Sequence, residues 1–176
     1  MSVTVRAATI EDARAIAVVH VEGWRASYRT ILTREFLDGL SVEKRQALWT
    51  ESLSEPPTPT SRVIVAAEDD GAIAGFAAVG TSRDEDTKHL GELMALYVLP
   101  SHWDRGVGRD VHDAALAVLA VAGFAGAIVW VLADNARGRA FYDRRGWKAD
   151  GSRKQAPVGG ANYTELRYRI GFVGVA

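Results

Sequence analysis

Residues 114–133 read "AALAVLAVAGFAGAIVWVLA", twenty consecutive positions without a charge, and the fold turns on how this run is read. Its length meets the criterion for a helix that spans a bilayer. Its composition, however, changes halfway. The first part is alanine-rich and continues the helical spacing of Val107, Val111, Ala114, Ala115 and Val118, whereas the second, "AIVWVLA", is β-branched and aromatic. Gly123 and Gly126 divide the two, and a glycine just past a helix supplies the left-handed residue that ends it. The reading is helix, turn and fully buried strand, with no membrane span.

Working outward, "ELMALYVL" (92–99) reads as the preceding strand. A short helix from about Asn135 to Arg145 follows, then strands around Trp147 and from Tyr163 to Ile170. Strand, helix and strand across 92–133 have the length of a crossover, which predicts a right-handed parallel βαβ unit inside a mixed sheet. Upstream, Val3–Arg6 alternates as a short strand. Thr9 and Asp12 form an N-terminal cap ahead of Ala13, Ile16, Ala17, His20 and Trp24. A second helical stretch, 33–53, is broken near Gly39 and stopped by "SEPPTPTS"; "RVIVAAE" and "AIAGFAAVG" follow as a hairpin. The class is α/β (α+β in some schemes), and 176 residues fit one domain over 1–176.

Composition narrows the function. Lys plus Arg number 21 against 22 acidic residues, so no global positive field draws nucleic acid or an anionic membrane. With no cysteine there is no disulfide, thiolate nucleophile or cysteine-bound zinc, and no metal is expected. The N-terminus has no apolar run of signal length, so the expected location is cytoplasmic.

"SHWDRGVGRDVHDAAL" (101–116) places Gly106 and Gly108 where the crossover helix begins. A helix start exposes unpaired N–H groups and about half a positive charge, and glycines let an anion reach them. Taken alone the pair reads equally well as a tight turn. A P-loop is excluded because Arg109 and Asp110 follow Gly108, and a dinucleotide fingerprint because position 111 is Val111.

The wider stretch "LYVLPSHWDRGVGRDVHDAALAVL" resembles the acyl-CoA-binding motif of the Gcn5-related N-acetyltransferase (GNAT) family. Trp103 departs from its usual Gln/Arg and Asp104 from a common glycine. "VLADNARGRAFYDRRGW" (131–147) is similar to a second motif of that family. Asn135, Tyr142, Gly146 and Trp147 match, and Gly138 stands for the usual alanine. The resemblance covers nearly the whole chain. It implies a mostly antiparallel sheet whose fourth and fifth strands splay apart, and transfer of an acetyl group from acetyl-CoA to a primary amine of a small molecule or peptide.

It also implies where the coenzyme lies. Its arm would lie along backbone groups of Leu96, Tyr97 and Val98 and be held opposite by Asn135. The pyrophosphate would sit on Asp104, Arg105, Gly106, Val107, Gly108 and Arg109. The N–H near Leu96 or Val98 would stabilise the oxyanion. Without a cysteine, direct attack in a ternary complex is expected. Tyr142 is the candidate acid for the departing thiolate, or else a packed aromatic beside Phe141. Glu92 is the candidate base, or a solvated strand-end carboxylate; alternation puts 92, 94, 96 and 98 on one face unless a bulge intervenes. His20, Glu22 and His89 are substitutes. Trp24 and Tyr28, one turn apart, would wall the acceptor groove, or pack in the core with Trp49. The rival function is a non-catalytic acyl-CoA sensor. A homodimer through exposed sheet edges or late strands is open.

Overall fold

The computed structural model describes residues 3–172. β1 (Val3–Ala7) leads through a 3-10 turn into α1 (Ala13–Ser27). The predicted cap is there: Asp12 accepts from the Thr9 amide at 2.8 Å and pairs with Arg6 at 2.7 Å. The second helical stretch is two helices, α2 (Arg34–Asp38) and α3 (Val42–Ser54), capped by the Thr33 and Ser41 hydroxyls. Then come β2 (Arg62–Glu68), β3 (Ile73–Thr81), β4 (Gly91–Val98), α4 (Val107–Val121), β5 (Gly126–Leu132), α5 (Ala136–Arg144), β6 (Lys148–Val158) and β7 (Ala161–Gly171).

The uncharged run divides at Gly123, which takes φ +90°. There the Gly123 amide donates to Ala120 and that of Phe124 to Leu119, closing the helix as a Schellman cap. Among the described residues no helix is long and apolar enough to cross a membrane.

The seven strands form one sheet, ordered β1-β2-β3-β4-β5-β7-β6. Every neighbouring pair is antiparallel except β4 and β5, joined by the α4 crossover. α4 covers one face, burying Val107, Val111, Ala115 and Leu119 against Val79, Leu93 and Val129. α1 lies over β3 and β4 on the other face, where Ile16 and Val19 pack on Val65 and Phe76 with Trp49 of α3 beside them. On that face of β5 and β7, Trp130, Glu165 and Arg167 gather with Lys154 of β6.

β4 and β5 pair only at Gly91↔Ala127 and Glu92↔Ile128, so the expected splay begins at Leu93. A second irregularity overturns the simple alternation along β4. The register on β3 passes from Ala78↔Ala95 to Val79↔Leu93, leaving Met94 as an unpaired bulge residue. Leu93, Leu96 and Val98 therefore face α4, whereas Ala95 and Tyr97 face α1. Glu92 lies on the α1 side, opposite Leu96 and Val98 rather than beside them.

Candidate active site

The splayed strands and the two helix ends that follow them enclose a cavity of about 390 Å³. Its floor is β4. Leu99 N–H donates to Ala74 on β3 at 2.8 Å, and antiparallel alternation then turns Tyr97 towards β3 and Leu96 and Val98 towards the gap. So Leu96 and Val98 turn backbone groups to the gap, and Tyr97 does not: its main chain is spent on β3. The Tyr97 side chain instead lines a second cavity. Val98 carbonyl already accepts from Trp103 Nε1 at 3.0 Å, which explains what a tryptophan does at that departure from the motif.

At the far end of the cavity, α4 starts at Val107 with Gly106 at φ +89° before it. The amides of Val107, Gly108 and Arg109 have no earlier carbonyl within the helix to bind. Gly108 faces the cavity: a Cβ there would sit 3.5 Å from Phe141 and 3.7 Å from Val98, an ordinary contact. Asp104 takes φ +60°, the left-handed conformation that makes a glycine common at this position. Its carboxylate, unwelcome beside a phosphate, is paired with Arg137 at 3.2 Å, and Arg137 stacks 4.1 Å over the Trp103 ring. Arg109 lines the cavity and pairs with Asp110; the Arg105 and Val107 side chains do not line it, Val107 being core.

The opposite wall is α5. Asn135 caps it, Oδ1 accepting from the Gly138 amide at 3.0 Å, so only its Nδ2 is left for an incoming arm. Gly138 makes this possible, since a Cβ there would meet Nδ2 at 2.6 Å. α5 closes as α4 does. Gly146 at φ +85° lets the Trp147 amide reach the Tyr142 carbonyl, and the two rings meet at 5.6 Å. Trp147 Nε1 donates to His112 Nε2 at 2.9 Å, and His112 Nδ1–H donates in turn to Asp113, which Arg145 holds. Tyr142 is thus fixed at the cavity wall by a chain of contacts that starts on α4. Burial, with a smaller contribution from Tyr97, raises its phenol well above the ordinary range, so it carries its proton at any physiological pH.

Beyond the splay lies a smaller cavity of about 190 Å³, sharing Tyr28, Leu93, Met94, Tyr97 and Trp130 with the first. Trp24 and Tyr28 line it, their rings 5.3 Å apart and perpendicular, and Tyr28 and Tyr97 hydroxyls meet at 3.1 Å. Trp24 Nε1 is buried with no hydrogen-bond partner among the described residues. His20 is packed rather than poised. It stacks on Tyr97 at 5.0 Å and accepts from Trp49 Nε1 at 3.2 Å; burial, then the Arg45 charge, pushes it down to about 3.

Glu92 lines this cavity yet is 2% exposed. Both its oxygens accept from Arg83, by the backbone N–H at 3.0 Å and the guanidinium at 2.5 Å. Sequence reasoning missed Arg83, Trp130, Lys154 and Glu165, which share the cavity but come from four separate elements. A barely legible signal was the alternation of "YTELRYRI", which sets Glu165 and Arg167 on the face away from α4.

The acetyltransferase (GNAT) family model matches residues 25–147. Uncharacterized N-acetyltransferase YuaI of Bacillus subtilis is 35% identical over 134 residues, 76% of this chain and 73% of that protein. Among solved structures, PaiA N-acetyltransferase of Thermoplasma acidophilum, in complex with coenzyme A, has a TM-score of 0.72 at 21% identity, covering 98% of this chain and all of that one. YncA, a putative acetyltransferase of Salmonella typhimurium with its cofactor acetyl-CoA, reaches 0.71 at 18%, covering 100% and 97%. The fold and the splayed, amide-lined gap are those of an acyl-CoA-dependent transferase, and the chain belongs to the GNAT family of acetyltransferases. Its place is among enzymes that move an acetyl group from acetyl-CoA to an amine; a sensor without activity is not favoured. Among the described residues no group of side chains could hold a metal.

Proposed function

We propose that acetyl-CoA lies along the 390 Å³ cavity, its pyrophosphate on the amides of Val107, Gly108 and Arg109 and its arm against Leu96 and Val98. One observation carries this reading: β4 and β5 part at Leu93, so β4 turns unpaired backbone towards a gap that ends at Tyr142. An amide that β4 turns to the gap, that of Leu96 or Val98, binds the oxyanion; Trp103 takes only the Val98 carbonyl, and Tyr97 faces away. Tyr142 gives its proton to the departing thiolate.

The acceptor amine enters through the smaller cavity and attacks directly. Its walls are Trp24, Tyr28, Tyr97 and Trp130 and its carboxylates are Glu92 and Glu165, which suits a primary ammonium on a small molecule or an extended peptide end. Glu92 takes the acceptor's proton only by giving up an Arg83 donor, whereas Glu165 is not so saturated. A homodimer along the exposed edge strand β6 and a cytoplasmic location belong to the same reading. The test is thiol release from acetyl-CoA over a panel of amino acids, diamines, aminoglycosides and peptides. Turnover with one amine class supports it; no release with any class, at saturating coenzyme, overturns it.

A further inference from the structure

The chain has lysines only at 44, 88, 148 and 154. Lys44 and Lys148 are exposed, and Lys88 pairs with Glu85 at 2.6 Å on the surface. Lys154 is exposed too, its side chain at 41%, but unlike them it borders the smaller cavity. It stands on β6 opposite Glu165 of β7, and its side chain reaches over the sheet to the cavity's rim. There Nζ lies 4.1 Å from the centre of the Trp130 ring and 3.6 Å from Glu165 Oε2.

That ring is a fixed platform. Trp130 Nε1 donates to Asp84 at 2.9 Å, and Asp84 is held at 3.1 Å by Arg167, which is 4% exposed and also binds Asp86, Asp150 and Ser152. An indole face held still beside a carboxylate is a site for an ammonium. Trp130 also forms part of the wall common to both cavities, so an amine on its face borders the place where the thioester ends.

We propose that Lys154 fills the acceptor ammonium's own place and, with no other amine present, is acetylated on Nζ by the site it occupies. The inference rests on the acetyl-CoA reading above. The ammonium gives one proton to Glu165, and the freed lone pair attacks the thioester carbonyl carbon. An N–C bond forms and the C–S bond breaks. Tyr142 protonates the thiolate and recovers a proton from the nitrogen, leaving acetyl-lysine, coenzyme A thiol and one proton passed through Glu165 to water. The neutral amide no longer pairs with Glu165 or attracts the indole face, so acetylation frees the subsite for a cationic acceptor.

The test incubates the purified chain with acetyl-CoA alone and reads intact mass, peptide maps and coenzyme binding by calorimetry. The expected result is one acetyl group on Lys154, at a rate independent of protein concentration. Lys154→Arg keeps a cation over Trp130 and takes up none, with an unchanged melting temperature, while Glu165→Gln slows acetylation about tenfold or more. Coenzyme bound but no acetyl on Lys154, or label spread evenly over the other lysines, overturns this proposal alone. A rate that rises with protein concentration also overturns it. Absence of coenzyme binding overturns the reading beneath it as well.

Discussion

The proposed coenzyme side of the β4–β5 gap is made of main chain, whereas the proposed acceptor side is made of side chains. The first would use amides of Leu96, Val98 and the α4 start, with glycines where backbone must come close, and all of it lies between β4 and α5 in one stretch of chain. The second draws Trp24 and Tyr28 from α1, Arg83 from a loop, Glu92 from β4, Trp130 from β5, Lys154 from β6 and Glu165 from β7. A backbone site binds what every member of the family shares, and a side-chain site can change its ligand without disturbing the sheet.

Three substitutions press on this division, from the largest effect to the smallest. Tyr142→Phe keeps the ring packed on Trp147 and removes only the hydroxyl proposed as the acid, so kcat falls about 100-fold or more with coenzyme affinity unchanged. A parallel loss of affinity would make Tyr142 part of the coenzyme site instead. Next is His20, under the acceptor side. Its native value near 3 lies below the unfolded ~6.5, so the unfolded chain binds the extra proton and the histidine's contribution to stability falls as pH drops from about 6.5 towards 3. Between those limits the slope is about 1.4 kcal/mol per pH unit, and His20→Gln flattens it in urea melts taken at pH 7 and pH 5. An unchanged slope would place the acid sensitivity elsewhere. Smallest is Gly106→Ala, which forces a Cβ into φ +89° at a cost of about 1–2 kcal/mol, read from thermal melting.

The same division explains what the sequence disclosed. The crossover was legible because the helix, its Gly123 stop and the β-branched strand lie in one run, and the two motifs because their spacings are short. The acceptor side was not, because its members meet only through the sheet order. The bulge at Met94 has no glycine or proline to mark it in "ELMALYVL", and it moved Glu92 to the other face. β6 runs to Val158, well beyond the strand expected around Trp147, because a mostly exposed edge strand lacks the apolar alternation that reveals one. Tyr97 was assigned by its place in a motif, and only the Leu99–Ala74 hydrogen bond shows which way its backbone turns.

The most direct test of the coenzyme site is calorimetric titration of coenzyme A into the wild-type chain and Gly108→Glu. A Cβ at Gly108 meets only ordinary contacts, so the variant folds, but its carboxylate projects towards the proposed pyrophosphate place. One coenzyme per chain is expected for the wild type, and a loss of affinity of about 100-fold or more in the variant, from like charges brought together. Equal affinity in a folded variant would contradict the proposed coenzyme site.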